Sequence, residues 1–309
     1  MKPGLTLPSR SVRDYLSCSE VWSAFLADGG FMIGDIVVAD PFKAGTTWTQ
    51  WILQQILHNG AELEASLSDS SPWLDSSFGD HSAMLACLTQ QRQRGERRVI
   101  KSHLPADCLP IDDAARYVFV GRNGKDLAIS FHRYLRQFTP DTLERINAIH
   151  ATWSAEARPL VIPEDPQEFF EAWLSSDGYG CCDLFDVVGS WWQLRHQANV
   201  LLLHYAQLNQ DPEGQIRRLA AFIGVEPEAL KLDRILEHAS FSFMRAHAER
   251  LAPFAGKHMQ DARMFFDQGP ARDLRDVLSP EHIERFDQQA NQKLSPACAH
   301  WLETGQWPA

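Results

Sequence analysis

The chain has 309 residues, of which 44% are hydrophobic and 22% charged, a balance that is ordinary for a folded protein with a large core. Its formal net charge of −11 argues against nucleic acid or an anionic membrane as the main partner. The six cysteines form no C-x-x-C pair, which argues against a zinc site and a disulfide framework. No signal peptide is evident, and no apolar run approaches the ~18 residues that span a bilayer. We therefore expect a cytoplasmic protein.

Short apolar, β-branched runs alternate with longer helical patterns along the chain. They predict buried strands at 35–40, 97–102, 115–122 and 199–205. The segments between them predict helices, among them one that follows the first strand with Thr46 as its N-cap. Continuous apolar strands between helices are typical of a parallel sheet covered on both faces. The predicted fold class is therefore α/β, with three layers and a central parallel sheet flanked by helices.

The domain organisation follows from what the chain lacks. It has no internal repeat, low-complexity tract or Gly/Ser-rich linker. We therefore expect one domain over residues 1–309, with 1–33 as an N-terminal helical extension and 34–309 as the core.

Polar motifs follow the first three predicted strands at the points where the strands end. They are Lys43–Thr47 after the first strand, Lys101–His103 after the second and Arg122 after the third. In parallel α/β sheets, ligands bind at the carboxyl ends of the strands. The sequence therefore predicts one ligand site at this edge of the sheet.

The first motif predicts an anion site. Gly45 allows a tight turn, and Thr46 and Thr47 open a helix whose first backbone N–H groups are expected to be unpaired. A triphosphate-binding loop would place lysine after the glycine and use magnesium, whereas Lys43 precedes Gly45. The order of residues therefore indicates a single bound phosphate.

The other two motifs add a base and further positive charge. Lys101 and His103 alternate along a strand, so both side chains lie on the same face. A neighbouring cation favours neutral imidazole, which can accept a proton. Arg122 and Ser130 lie about two helical turns apart, so they could share one anion that lies along the helix.

Together, and in this order, the motifs resemble those of the cytosolic-type PAPS-dependent sulfotransferases, which have a P-loop NTPase-like fold. The resemblance extends over nearly the whole chain from about residue 35. It implies transfer of a sulfuryl group from PAPS (3′-phosphoadenosine 5′-phosphosulfate) to the hydroxyl or amine of a small-molecule acceptor. The other product would be 3′,5′-ADP, and no metal would be required. The resemblance also implies a possible homodimer.

The resemblance assigns a role to each matching residue. His103 is the implied base, with Lys43 at the leaving oxygen and Lys101 at the sulfuryl oxygens. The implied donor-binding residues are Lys43, Ala44, Gly45, Thr46, Thr47, Trp48, Arg122, Ser130, Ser240, Gly269 and Arg272. On the acceptor side, Trp73 matches a position of the family, and Phe78 lies close to it in the sequence.

One departure from the family pattern concerns the 3′-phosphate of the donor. The family has Arg-Lys-Gly where this chain has Asp267-Gln268-Gly269. Charge-assisted hydrogen bonds to phosphate are worth roughly 1.5–3 kcal/mol each, so their loss is expected to weaken donor binding unless it is offset. Arg272 and Arg275, just beyond, are candidates to supply the missing charge.

Three other readings stay open at this point. A small-molecule kinase on a similar fold would need a lysine after the glycine and a magnesium-binding loop. A sulfotransferase-like binding or scaffold protein could have lost catalysis, although it would have no physical need to retain Lys43, His103, Arg122 and Ser130 together. An enzyme of this fold could also use another sulfate donor, or eliminate sulfate after transfer with net dehydration.

Overall fold

The computed structural model describes residues 4–77, 79–152, 159–175, 182–266 and 274–307. Three predicted site residues, Phe78, Gly269 and Arg272, lie outside these ranges. The strands of the described part are β1 Leu5–Thr6, β2 Ile36–Ala39, β3 Val99–Ser102, β4 Ile111–Asp112, β5 Arg116–Gly121 and β6 Val200–His204.

Helices occupy most of the remaining described chain. The α-helices are α1 Val21–Ala27, α2 Thr46–Leu57, α3 Leu67–Ser70, α4 His81–Gln93, α5 Gly124–Leu135, α6 Pro140–Ala151, α7 Pro166–Ser175, α8 Leu184–Gln193, α9 Tyr205–Gln210, α10 Pro212–Phe222, α11 Leu232–His238, α12 Phe241–Ala246, α13 Ala248–Leu251, α14 Ala255–His258, α15 Pro280–Lys293 and α16 Pro296–Thr304. Short 3₁₀ turns lie at Ala106–Cys108, Pro227–Ala229, Ala262–Phe266 and Leu274–Asp276.

Within the described residues, four parallel strands form the central sheet in the order β3-β2-β5-β6. The last residue of β2, Ala39, pairs with Ser102 on one side and with Phe119 on the other. The carboxyl ends of β2, β3 and β5 therefore meet at one edge, as the motifs predicted. Strands β1 and β4 form a separate antiparallel pair.

Each face of the sheet packs into its own apolar cluster. Val37 and Ala39 belong to one cluster, while Ile36 and Val38 belong to the other. This alternation is what a pleated strand imposes when both faces are covered by helices. The predicted three-layer α/β class is therefore confirmed.

The N-terminal segment contributes a helix that packs into the first of these clusters. Trp22 and Phe25 of α1 contact Phe31, whose ring meets Tyr117 of β5 edge-on at 6.0 Å between centroids. The division into an extension at 1–33 and a core at 34–309 stays a prediction. Among the helices of the described ranges, none is both long and apolar enough to cross a membrane.

Candidate active site

The loop between β2 and α2 has an unusual backbone. Phe42 and Lys43 adopt left-handed conformations with φ of 51° and 57°, and Gly45 has φ of 117°. Such conformations cost non-glycine residues roughly 1–3 kcal/mol each and concentrate at functional sites. A Cβ at Gly45 would lie 3.2 Å from Cδ2 of Tyr205, so this position needs glycine for its φ and for close packing.

Helix α2 begins differently from the prediction. Thr46 is its first helical residue and Gly45 holds the cap position, so the prediction of Thr46 as the N-cap was wrong. The backbone N–H of Thr46 is also not unpaired, because it donates to Oδ2 of Asp40 at 3.0 Å. The Thr46 hydroxyl donates to the same oxygen. The physical reason is that Asp40, directly after β2, places a carboxylate at the positive end of the helix.

The next two amides of this helix keep their capacity to bind an anion. Within the described part of the chain, no protein group accepts a hydrogen bond from the backbone N–H of Thr47 or Trp48. Ala44 is fully buried, and Thr46 and Thr47 are also buried. The loop can therefore still receive one phosphate, with fewer free backbone donors than expected.

His103 lies directly beside this loop. Its ring is only 2% exposed, and Nδ1 lies 3.0 Å from the carbonyl oxygen of Asp40 and 2.6 Å from Oδ1 of the same residue. The ring stacks on Phe42 at 3.7 Å between centroids and meets Trp73 edge-on at 4.9 Å. Contacts on several sides therefore hold the imidazole in one orientation.

The surroundings of His103 favour its neutral form. Burial lowers the pKa of the imidazole, and the charge of Lys101 lowers it further, while the Asp40 carboxylate acts in the opposite direction. The net pKa lies below the usual value, so the ring is neutral and can accept a proton near pH 7. Burial would raise the pKa of Asp40, but His103, the Thr46 donor and Lys101 lower it, which keeps the carboxylate ionised.

The two lysines of the motifs are enclosed by aromatic rings. Nζ of Lys43 lies 4.6 Å from the ring centroid of Tyr134 and 4.3 Å from that of Phe265. Nζ of Lys101 lies 4.6 Å from the ring centroid of Trp73. At these cation–π distances the ring face attracts the ammonium group, but it does not replace the hydrogen bonds that water would make to that group.

Burial lowers the pKa of both lysines, and neighbouring cations lower that of Lys43 further. Burial, together with the charges of Arg122 and Lys101, lowers the pKa of Lys43 to about 7. Burial lowers the pKa of Lys101 to about 8, although Asp40 and Asp75 partly offset it. An anion bound between these groups would therefore be stabilised by protonation of both.

Arg122 belongs to the part of the site around Gly45. Its Nη1 donates to the carbonyl oxygen of Lys43 at 2.9 Å, and its guanidinium lies 4.5 Å from the ring centroid of Tyr205. The Tyr205 ring meets Trp48 edge-on at 5.9 Å. Ser130 lies on α5 and is partly exposed, and none of the hydrogen bonds of the described residues joins it to Arg122.

Ser240 lies next to the residue that anchors Trp48. Nε1 of Trp48 donates to the carbonyl oxygen of Ala239 at 2.8 Å. The Ser240 hydroxyl accepts from the backbone N–H of Phe243 at 3.2 Å and so caps α12. The structure therefore gives Ser240 a capping function and places it beside Trp48.

Six residues described at this site were not predicted as site residues: Asp40, Phe42, Asp75, Tyr134, Tyr205 and Phe265. Asp75 is fully buried and accepts hydrogen bonds from Nε1 of Trp73 at 2.7 Å, Nε1 of Trp22 at 3.1 Å and the Ser102 hydroxyl at 2.6 Å. It therefore joins Trp73 to Ser102 of β3. Asp40 had a visible signal, since an acid stands where the first strand meets the anion loop.

The fold is that of the phosphate-binding-loop class, and it brings a buried histidine and two lysines to one sheet edge beside a loop with unpaired backbone amides. Residues 34–296 match the family described as "Sulfotransferase domain". The chain belongs to this family and is a sulfotransferase. No group of three or more His, Cys, Asp or Glu side chains suited to a metal ion occurs in the part of the chain that the structure describes.

Known proteins agree with this assignment over most of the chain. It is 29% identical to a glycolipid sulfotransferase of Mycobacterium bovis (strain BCG / Pasteur 1173P2) over 293 residues, which is 88% of either chain. It is 28% identical to sulfotransferase 1B1 of Mus musculus over 275 residues, which is 85% of this chain and 83% of the relative.

Solved structures share the fold. Mouse sulfotransferase SULT7A1 complexed with PAP is similar with a TM-score of 0.67 and 22% identity, covering 97% of both chains. A retinol dehydratase in a complex with retinol and PAP is similar with a TM-score of 0.66 and 21% identity, covering 88% of this chain and 86% of that one.

Proposed function

We propose that this protein transfers a sulfuryl group from PAPS to the hydroxyl or amine of a small-molecule acceptor and releases 3′,5′-ADP. The observation that carries the proposal is that neutral His103 lies at the same sheet edge as Lys43 and Lys101. An in-line sulfuryl transfer requires a base that takes the acceptor proton and fixed cations that neutralise the charge on the leaving oxygen. Family membership favours this reaction over phosphoryl transfer.

The residues present fit the donor. The unpaired amides of Thr47 and Trp48 suit the 5′-phosphate, and the Trp48–Tyr205 pair offers aromatic surface for an adenine. Arg122 and Ser130 are the proposed partners of the 3′-phosphate, as the family pattern implies. Ser240, Gly269 and Arg272 are proposed as further donor contacts on the same basis.

When bound, PAPS supplies the sulfuryl group and a phosphate leaving group. Nε2 of His103 takes the proton from the acceptor as its oxygen or nitrogen attacks. Lys43 neutralises the negative charge that grows on the bridging oxygen as the bond to sulfur breaks, and Lys101 supports the sulfuryl oxygens. Fixed cations of the chain thus perform the electrostatic work that magnesium performs in kinases.

The acceptor side is proposed to bind an apolar body next to the attacked group. Phe42 and Trp73 flank His103, and Phe131 stacks on Phe42 at 5.9 Å between centroids. Aromatic walls around a single base suit a hydroxyl or amine carried on a hydrophobic skeleton. Trp73 is the proposed acceptor contact, and Phe78, outside the described residues, stays a second prediction. The homodimer and the cytoplasmic location also stay predictions.

The test replaces the base. His103→Ala should abolish turnover with PAPS while 3′,5′-ADP still binds, as measured by calorimetry. His132→Ala is the matched control, because this other buried histidine bonds the Pro163 carbonyl at 2.8 Å and has no assigned chemistry. Normal turnover of His103→Ala would refute the assignment.

Two further measurements separate the alternatives. Thermal stabilisation by 3′,5′-ADP and not by ATP with magnesium would exclude a kinase. Mass spectrometry of the product would show a gain of SO₃ for simple transfer, loss of water for elimination after transfer, or no change for a non-catalytic protein.

A further inference from the structure

Asp40 connects the base to the anion loop through a single carboxylate. Its Oδ1 lies 2.6 Å from Nδ1 of His103, while its Oδ2 accepts from the backbone N–H of Thr46 at 3.0 Å and from the Thr46 hydroxyl. The side chain is fully buried. Among the described residues, Oδ1 has no hydrogen bond of regular geometry, and its one ion pair would form with the His103 imidazole once that ring is protonated.

The contacts of His103 determine which ring nitrogen carries the proton. Nδ1 faces the carbonyl oxygen of Asp40 at 3.0 Å as well as Oδ1 at 2.6 Å. Both are acceptors, so the neutral ring is stabilised with its proton on Nδ1. Nε2 is then the unprotonated nitrogen that can take a proton from an acceptor.

We propose that Asp40 is a positioning residue for sulfuryl transfer. It holds His103 in the Nδ1–H tautomer and stabilises the imidazolium that forms when Nε2 accepts the proton. This inference rests on the proposed function, in which His103 is the base. Asp40 lies outside the three predicted motifs, and no described residue of those motifs places a carboxylate at His103.

The reaction balances without a proton transfer to Asp40. The acceptor oxygen forms a bond to sulfur, the bond from sulfur to the bridging oxygen breaks, and 3′,5′-ADP leaves with the electron pair. The acceptor proton passes to Nε2 of His103 and later to solvent. Asp40 stays ionised throughout, because the Thr46 donors and Lys101 favour its charged form.

A capping role alone would not need a charge at this position. Serine, threonine or asparagine can cap a helix by accepting from the same backbone N–H groups. A buried carboxylate is costly unless its charge is compensated. The negative charge of Asp40 therefore serves to stabilise the imidazolium that forms at His103 during each turnover.

Asp40→Asn is the discriminating substitution because an amide cannot satisfy both neighbours. If the amide oxygen accepts from Thr46, the amide NH₂ group faces the Nδ1–H group of His103. Two hydrogen-bond donors then oppose each other. That repulsion favours the other tautomer, with the proton on Nε2 and no base toward the acceptor. A triad aspartate changed to asparagine acts in this way in serine proteases.

The kinetic test compares two acceptors with PAPS as the donor. Phenol, with a pKa near the value of about 10 for tyrosine, needs a base, whereas 4-nitrophenol is largely ionised above neutral pH. Asp40→Asn should lower kcat/KM for phenol by about 10²- to 10⁴-fold and for 4-nitrophenol by about tenfold or less. Equal losses for both acceptors, or no loss, would overturn the proposal.

A double variant tests whether Asp40 acts through His103. Asp40→Asn combined with His103→Ala should bind 3′,5′-ADP in calorimetry as tightly as His103→Ala alone, because the asparagine oxygen can still accept from Thr46 and the part of Asp40 that acts on the base has no partner left. Much weaker binding in the double variant would show that Asp40 acts on the donor loop instead.

The tautomer is measured without donor or acceptor. In the wild-type protein labelled with ¹⁵N-histidine, the His103 signal, assigned by its loss in His103→Ala, should show a protonated Nδ1 and an unprotonated Nε2. The reverse tautomer would overturn the proposal even if Asp40→Asn failed to fold. Transfer to neither phenol would instead count against the proposed function, and the two failures are therefore distinguishable.

Discussion

The ammonium of Lys43 lies over the ring of Phe265, 4.3 Å from its centroid, in a site that also contains Lys101 and Arg122. The pKa of Lys43 is lowered to about 7 and that of Lys101 to about 8, with burial as the largest cause in each. Near neutral pH, part of the positive charge that a phosphate needs is therefore absent until a proton is taken up.

We predict that 3′,5′-ADP binds with net uptake of protons above about pH 7. Below that pH, Lys43 is already protonated and this uptake disappears. Above it Lys43 must gain a proton, and above about pH 8 Lys101 must gain one too, so the affinity should fall by up to about tenfold per pH unit for each lysine that has lost its proton. Calorimetry in buffers of different ionisation enthalpy measures the uptake, and working above the second phosphate pKa of about 6 avoids titration of the ligand.

Lys43→Met is the variant that localises the effect. It should bind 3′,5′-ADP more weakly and take up fewer protons on binding, because the lysine that titrates near pH 7 is removed. Proton uptake equal to that of the wild type would assign the titration to another group, and an affinity independent of pH would contradict the lowered lysine pKa values.

Gly45→Ala separates backbone strain from the shape of the site. An alanine at this position would have to adopt a left-handed backbone with φ of 117°, and its Cβ would lie 3.2 Å from Cδ2 of Tyr205. Left-handed backbone costs roughly 1–2 kcal/mol per non-glycine residue. We expect lower stability in thermal unfolding together with loss of 3′,5′-ADP binding, since the loop and the Trp48–Tyr205 pair would have to shift.

Gly95→Ala is its matched control. Gly95 is exposed and has φ of 69°, with nothing within 4 Å of an added Cβ. It should lose a comparable amount of stability from strain alone and keep its affinity for 3′,5′-ADP. If Gly95→Ala also lost the nucleotide, global destabilisation would explain both variants.

Local patterns were enough to predict the elements and the convergence of the motifs. The apolar runs correspond to β2, β3, β5 and β6 to within two residues at each end. Parallel strands place their carboxyl ends at one edge, so Lys43, His103 and Arg122 could be expected there before any contact was known. The start of α2 was predicted to within one residue from the glycine and the two threonines, with the cap placed at Thr46 where the structure has Gly45.

What the sequence could not predict are contacts between residues far apart in the chain. Asp40 and His103 are separated by 63 positions and meet because β2 and β3 are neighbours in the sheet. Periodicity shows that both residues end strands, but it does not show which strands pair. The Thr46 amide was expected to be free for a different reason, because its partner Asp40 is close in the chain but was assigned only to a strand.

Trp73→Phe tests the acceptor side of the site. Nε1 of Trp73 donates to Oδ1 of Asp75 at 2.7 Å, and phenylalanine keeps an aromatic ring but loses this bond. We expect the acceptor KM to rise severalfold as the ring loses its fixed orientation beside His103, while the affinity for 3′,5′-ADP is unchanged. Steady-state kinetics with phenol and calorimetry with the nucleotide measure the two effects.

Trp22→Phe is the control for the Asp75 network. Trp22 donates to the other oxygen of Asp75 at 3.1 Å from the buried helix α1. Its loss should lower the free energy of unfolding by about 1 kcal/mol, the usual net value of one hydrogen bond, without changing the acceptor KM. A KM change as large as that of Trp73→Phe would mean that Asp75, rather than the Trp73 ring, orders the acceptor side.

Asp267→Arg tests whether the departure from the family pattern weakens donor binding. An arginine at this position would restore one of the cations that the family resemblance assigns to the 3′-phosphate. One charge-assisted hydrogen bond is worth roughly 1.5–3 kcal/mol, so the dissociation constant of 3′,5′-ADP should fall by about 10- to 100-fold. Calorimetry with 5′-AMP, which lacks the 3′-phosphate, should show little change.

Asp276→Arg is the control that shows whether the gain in 3′,5′-ADP affinity is specific to position 267. It changes the charge by the same amount at an exposed position in the nearby 3₁₀ turn Leu274–Asp276. A general increase in positive potential would strengthen the binding of 3′,5′-ADP in both variants. That effect would weaken as salt is added, since exposed charges are screened beyond about 10 Å at 0.1 M. Tighter binding confined to Asp267→Arg would locate the 3′-phosphate at this segment. An unchanged affinity there would mean that Arg122, Ser130 and Arg272 already satisfy the phosphate.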